Sequence, residues 1–201
     1  MRSSMSNTGT TRIGILGGSF DPIHIGHLIV ADGVADRMRL DSVLFIPCHT
    51  PPHKSAANLS AGEHRLRMVE LAVKGDPRFR ACDAELSRGG ISYSVDTIAT
   101  LKSRYARGTE FYFIVGADSM VELETWRECK KLLSLCTVVT AARPGWDLDS
   151  WQPREGAYTH EEIAALKGHV GEYIIDNNLY VSREGEGREC ETAKERCERV
   201  R

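Results

Sequence analysis

Short apolar runs rich in β-branched residues recur at Ile13–Leu16, Val43–Ile46, Phe111–Val115 and Thr137–Thr140. Each is too short for a helix and dense enough for a buried strand. Between the first three runs the apolar positions shift to three- and four-residue spacing, over Leu28–Arg39, Glu63–Lys74 and Val95–Tyr105. That spacing predicts amphipathic helices, each opening near a Ser, Asp or Gly suited to a helix start. Alternating strands and helices joined by right-handed crossovers predict an α/β fold, a parallel sheet with helices on both faces. Ligands of such sheets bind beyond the carboxyl ends of the strands, so the residues that follow each run are the ones to inspect for chemistry.

Beyond Pro144 the pattern weakens. The stretch WDLDSWQPREGAYT is loop-like, and a helical pattern resumes near His160. Residues 182–201 are highly charged and carry no large apolar residue except Val200. The expected organisation is therefore one domain over residues 1–181, with residues 1–11 disordered, and a charged tail over residues 182–201.

Composition narrows the classes. A chain of 201 residues with a formal net charge of -2 suits one soluble domain and argues against broad electrostatic capture of nucleic acid or acidic membranes. No apolar run approaches the length of a membrane-spanning helix, and the opening MRSSMSNTGTTR has no apolar signal core, so the expected address is the cytoplasm. A homo-oligomer is compatible with the sequence. The six cysteines form no CxxC pair and have no histidines at zinc-finger spacing. Cys48, Cys82 and Cys136 lie in or beside apolar runs and are expected to be buried thiols.

The most informative segment follows the first strand: Gly17-Gly18-Ser19-Phe20-Asp21-Pro22-Ile23-His24-Ile25-Gly26-His27. Paired glycines let the backbone turn tightly against a ligand, and the helix beyond them offers free N–H groups and a positive dipole end to phosphate oxygens. His24 and His27, three residues apart around the helix start, can face one phosphate-sized site. The same residues also suit a plain βα turn with surface histidines. Neither the GxGxxG nor the GxxxxGKS spacing is present, which removes the commonest phosphate-loop alternatives.

This segment closely resembles the signature of the HxGH nucleotidyltransferase superfamily, with His24, Gly26 and His27 as its core. The resemblance implies a Rossmann-like sheet of the HxGH type. It also implies ATP phosphate contacts from Gly17, Gly18, Ser19, Phe20 and Gly26, and transition-state stabilisation at the α-phosphorus by His24 and His27. The superfamily also holds pantetheine adenylyltransferases and cytidylyltransferases, and the signature does not choose among them.

Three further segments narrow the resemblance to the nicotinate-nucleotide adenylyltransferases. PPHK, ending in Lys54, is similar to the family's loop after the second strand and implies that Lys54 meets the pyridine nucleotide. SYSVDT is similar to the family's SYTxDT, with Ser94 replacing the usual Thr at the pyridine-nucleotide site; Ser94 with Thr97 as a cap, or Asp96 near the helix dipole, would equally stabilise a helix start there. FIVGADSMVELETW is similar to the segment in which Gly116 and Asp118 meet ATP and Trp126 stacks on the pyridine ring. Arg143, in ARPG, matches a family arginine near the substrate, and VGEYIIDNNLY resembles the family's closing helix. The implied reaction joins ATP and nicotinate mononucleotide, with Mg²⁺, to give nicotinate adenine dinucleotide and pyrophosphate. One departure stands out: no ISSTxIR segment, which cradles ATP phosphates in the family, occurs between Arg143 and Val170. A nucleotide-binding homologue of weak or absent catalysis, or adenylyl or cytidylyl transfer to another small phosphate, therefore remains as an alternative.

Overall fold

The computed structural model of the chain describes residues 10–52 and 59–141. The β-branched runs become strands of one parallel sheet: β1 (Arg12–Gly18), β2 (Ser42–Pro47), β3 (Phe79–Ala81), β4 (Glu110–Gly116) and β5 (Thr137–Ala141). Their order is β3-β2-β1-β4-β5. The helices are α1 (Ile25–Met38), α2 (Gly62–Val73), α3 (Ala84–Arg88), α4 (Ser94–Arg104), α5 (Ala117–Val121) and α6 (Cys129–Leu135), with a 3₁₀ turn over Leu123–Thr125. The expected α/β sheet is borne out.

Side-chain alternation along the strands builds two cores. Ile13, Ile15, Leu44, Ile46, Phe111 and Phe113 pack with Ile98, Leu101 and Leu132 on one face. Val43, Phe45, Tyr112 and Ile114 pack with Val34, Val69 and Val73 on the other. Buried on both faces, the strands read as continuous apolar runs, which is why their sequences were so legible.

Several boundaries differ from the sequence reading. Helix α1 opens at Ile25 rather than Leu28, with His24 in an extended N-cap conformation (φ -141°, ψ 168°). Ile25 is 69% exposed, so the apolar pattern carries no sign of this first turn. Helix α4 starts at Ser94 with Tyr93 as its N-cap and no side-chain cap bond, so Ser94 does not cap it, while Asp96 lies in the first turn, where its charge suits the helix dipole. Strand β3, of three residues, and the short helices α3, α5 and α6 fall below the length at which periodicity is informative.

Among the described residues, Cys48, Cys82, Cys129 and Cys136 form no disulfide with one another. Burial raises the pKa of Cys48 and Cys82, and pushes Cys136 up to about 12, with Lys102 opposing slightly. A thiol held protonated by the fold adds stability that is complete below its unfolded value near 9.0 and is lost as pH rises through about 12. Site-resolved alkylation at pH 8 is expected to leave Cys136 unmodified in the folded protein and to modify it once denaturant is added. Labelling of native Cys136 at the rate of a free thiol would contradict this. Among the described residues no helix is long and apolar enough to cross a membrane.

Candidate active site

The strand order reverses direction at β1 and β4, and the sheet opens there at its carboxyl edge. A cleft of about 910 Å³ occupies this edge. Its walls include Gly17 and Gly18 from β1, Cys48 beyond β2, Gly116 at the end of β4, and Trp126. Its size falls within the roughly 300–1,000 Å³ typical of small-molecule sites.

The glycine turn is shaped by what folds back onto it. Phe20 adopts a left-handed backbone conformation (φ 48°) and is 2% exposed. Its ring lies so close to Gly18 that a Cβ there would sit 3.3 Å from it. The same ring meets His27 edge-on at 5.0 Å and Phe45 at 6.1 Å. Phe20 therefore supports His27 from beneath rather than lining the cleft, and burial holds its unfavourable backbone conformation in place.

His24 and His27 face each other with ring centroids 3.8 Å apart, and both line the cleft. The His24 backbone N–H donates to His27 Nδ1 at 3.2 Å. A neutral imidazole that accepts at Nδ1 carries its proton on Nε2, leaving that N–H as a donor. The histidines sit at the positive end of the α1 dipole, where the His27 N–H bonds back to His24 O at 3.0 Å. Gly26 between them keeps the contact close, because a Cβ there would lie 3.1 Å from His24 Nδ1 and the exposed ring would have to give way. Gly26→Ala should displace the His24 ring and lower turnover by about tenfold or more, with near-native circular dichroism. Unchanged turnover would show that the ring's position does not matter.

A buried cation ties this turn to its neighbour. Arg65 in α2 is 2% exposed; its Nε donates to Ser60 O at 2.9 Å and its Nη1 to Ser19 O at 2.7 Å. The Ser60 N–H in turn donates to Asp21 at 2.8 Å, and this bonding to Ser60 lowers the Asp21 pKa. One guanidinium and one carboxylate thus fasten the glycine turn to the segment that leads into α2. Sequence reasoning missed Arg65, although a signal was present: it shares the buried stripe of α2 with Val69 and Val73 at four-residue spacing. An arginine on an apolar stripe needs internal acceptors.

The opposite wall is built on the loop before α4. The Ser92 N–H donates to Thr50 O at 2.8 Å, and Ser92 Oγ accepts the His49 N–H at 2.9 Å, which docks this loop on the one after β2. Beneath it, Thr97 Oγ1 donates to the buried Glu85 carboxylate at 2.6 Å. Ser94 lines the cleft there, as does Trp126, whose ring meets Phe113 edge-on at 6.0 Å. Arg127 also lines the cleft. Its guanidinium stands 4.6 Å over the Tyr93 ring and pairs with Asp96 at 3.5 Å.

The residues singled out from sequence thus distribute unevenly. Gly17, Gly18, Ser19, His24, Gly26, His27, Ser94, Gly116 and Trp126 surround one cleft. Asp118 is exposed in the first turn of α5, where its neighbours Gly116 and Ser119, rather than Asp118 itself, line the cleft. Lys54, Arg143 and the stretch searched for ISSTxIR lie outside the described residues. Among the described residues no group of three or more His, Cys, Asp or Glu side chains could hold a metal ion.

Residues 15–165 match the model of the cytidylyltransferase-like family. A protein of Thermoanaerobacter sp. (strain X514), named "Probable nicotinate-nucleotide adenylyltransferase", is 43% identical over 163 residues, covering 81% of this chain and 74% of that protein. One of the same name from Corynebacterium kroppenstedtii is 40% identical over 163 residues, covering 80% and 77% respectively. In fold, the chain is similar to Plasmodium falciparum nicotinic acid mononucleotide adenylyltransferase, solved complexed with NaAD. That match has a TM-score of 0.60 at 22% identity and covers 85% of this chain and 97% of the other. Matches of this extent, on a sheet whose glycine turn runs into a two-histidine helix start, mean that the chain belongs to the cytidylyltransferase-like family and, within it, to the nicotinate-nucleotide adenylyltransferases.

Proposed function

We propose that the chain transfers the AMP moiety of ATP to nicotinate mononucleotide, releasing pyrophosphate and forming nicotinate adenine dinucleotide. The observation that carries this reading is the stacked His24–His27 pair at the start of α1, above the glycine turn and within a cleft that also holds Trp126. An oxygen of the acceptor's 5′-phosphate attacks the α-phosphorus of ATP, and the bond from that phosphorus to the bridging oxygen breaks, so pyrophosphate leaves. No protein nucleophile is required. The protein's task is to align the two phosphates and to neutralise charge that develops between them.

Within this reading the Nε2–H of His27 and the α1 N-terminus donate to phosphate oxygens, while the open backbone at Gly17 and Gly18 lets the triphosphate approach closely. Trp126 offers a flat face to the pyridine ring, Ser94 a hydroxyl beside it, and Lys54 and Arg143 charge to the acceptor. Mg²⁺ accompanying ATP would supply charge neutralisation on the triphosphate, and among the described residues no cluster of His, Cys, Asp or Glu side chains would hold it.

Pyrophosphate release by the purified chain with ATP and Mg²⁺, compared with and without nicotinate mononucleotide, tests the proposal. Acceptor-dependent release supports it. ATP binding without release supports the second reading, a nucleotide-binding homologue, which the lack of an ISSTxIR segment favours.

A further inference from the structure

Apart from the two histidines, the side chains that line the cleft include a single cation among the described residues, Arg127. It directly follows Trp126 in the chain, and the cleft has two electropositive ends, the N-terminus of α1 and Arg127. The cleft also carries two carboxylates, Glu85 and Glu122, which oppose an acidic ligand wherever no cation offsets them. Arg127 is not consumed by its protein partners. Its contacts to Asp96 at 3.5 Å and Glu128 at 3.7 Å exceed the length of a charge-assisted hydrogen bond, and its side chain is 51% exposed. The guanidinium is instead steadied by the Tyr93 ring, 4.6 Å from the centroid, which leaves its N–H edge open to a further acceptor.

We infer that Arg127 is a specificity-determining residue that selects a pyridine nucleotide bearing a ring carboxylate over one bearing a neutral ring amide. The inference rests on the acceptor reading above. A planar ring against Trp126 shares its cleft with Arg127, the one lysine or arginine among the described lining residues, and only an ionised substituent gains from that charge. A neutral amide gains little and loses little when the charge is removed. Arg127 thus works through the difference between two ligands that share every phosphate and ribose contact.

The test is calorimetric titration of nicotinate mononucleotide and of nicotinamide mononucleotide into the intact chain and its Arg127→Gln and Arg127→Glu variants. Wild type is expected to prefer the nicotinate compound. Arg127→Gln should weaken that compound by at least about tenfold while changing the amide by less than about twofold. Arg127→Glu should reverse the preference, and thermal midpoints should stay near that of wild type because the side chain is half exposed. A ratio of affinities unchanged in both variants, parallel weakening of both ligands, or no binding of either ligand to wild type would overturn the inference. Pyrophosphate release, assayed separately, judges the transferase reading: binding with the expected ratio but no release upholds Arg127's role and removes the transfer.

Discussion

Replacing His27 with alanine is expected to lower turnover by about 100- to 1,000-fold, the scale of losing one well-placed transition-state donor. The Michaelis constants should change far less, because phosphates in the ground state keep the α1 N-terminus and the open glycine turn. The fold should survive, although His27 is both a ring neighbour of Phe20 and the acceptor of the His24 N–H, so helix α1 loses one terminal contact worth about 1 kcal/mol. Steady-state kinetics with circular dichroism separates these effects. His24→Ala combined with His27→Ala should cost little more than the worse single change, since the rings act on one site 3.8 Å from each other. Full turnover in a folded His27→Ala protein would remove the imidazole from the chemistry.

Arg65→Met should destabilise the fold by about 2–4 kcal/mol, because it leaves the Ser19 and Ser60 carbonyls without their buried donor. Urea denaturation measures this as a lower midpoint with an unchanged slope. The catalytic loss should exceed what instability explains. Under conditions where the variant is fully folded, turnover should still fall, because Ser19 lies in the turn to which the proposed function assigns phosphate and Phe20, its neighbour, packs on His27. Arg65→Lys can reach one carbonyl but not both, so it should recover part of the stability and less of the turnover. Native stability in Arg65→Met would mean that the two carbonyls find other donors.

What was legible in the sequence was whatever is local. Doubly buried strands are continuous apolar runs, and the histidine pair depends on spacing within a single turn, so both can be read without knowing the rest of the chain. Arg65 is different. Its partners Ser19 and Ser60 meet it only after α2 has packed across β2, and a charged residue in an amphipathic helix ordinarily reads as solvated. Arg127 was hidden in the same way, in a stretch where charges alternate with apolar residues and nothing marks which one turns toward a cavity. Asp118 shows the converse: a carboxylate directly after a strand is well placed in sequence, yet in the first turn of α5 it is exposed and its neighbours Gly116 and Ser119 line the cleft instead.

The order in which the strands lie has a further meaning for the growing chain. Strand β1 is made early, but its partner on the cleft side, β4, pairs Glu110 with Arg12 and so emerges from the ribosome only after almost a hundred intervening residues, by about the count of that register. Until then the histidine turn has one flank, the β2 side, and faces solvent on the other. A chain interrupted before β4 would carry the whole glycine–histidine segment and still lack the wall that β4 adds to the cleft. Enclosure, unlike the motif, is a late event in synthesis, and it depends on the most distant strand pairing in the sheet.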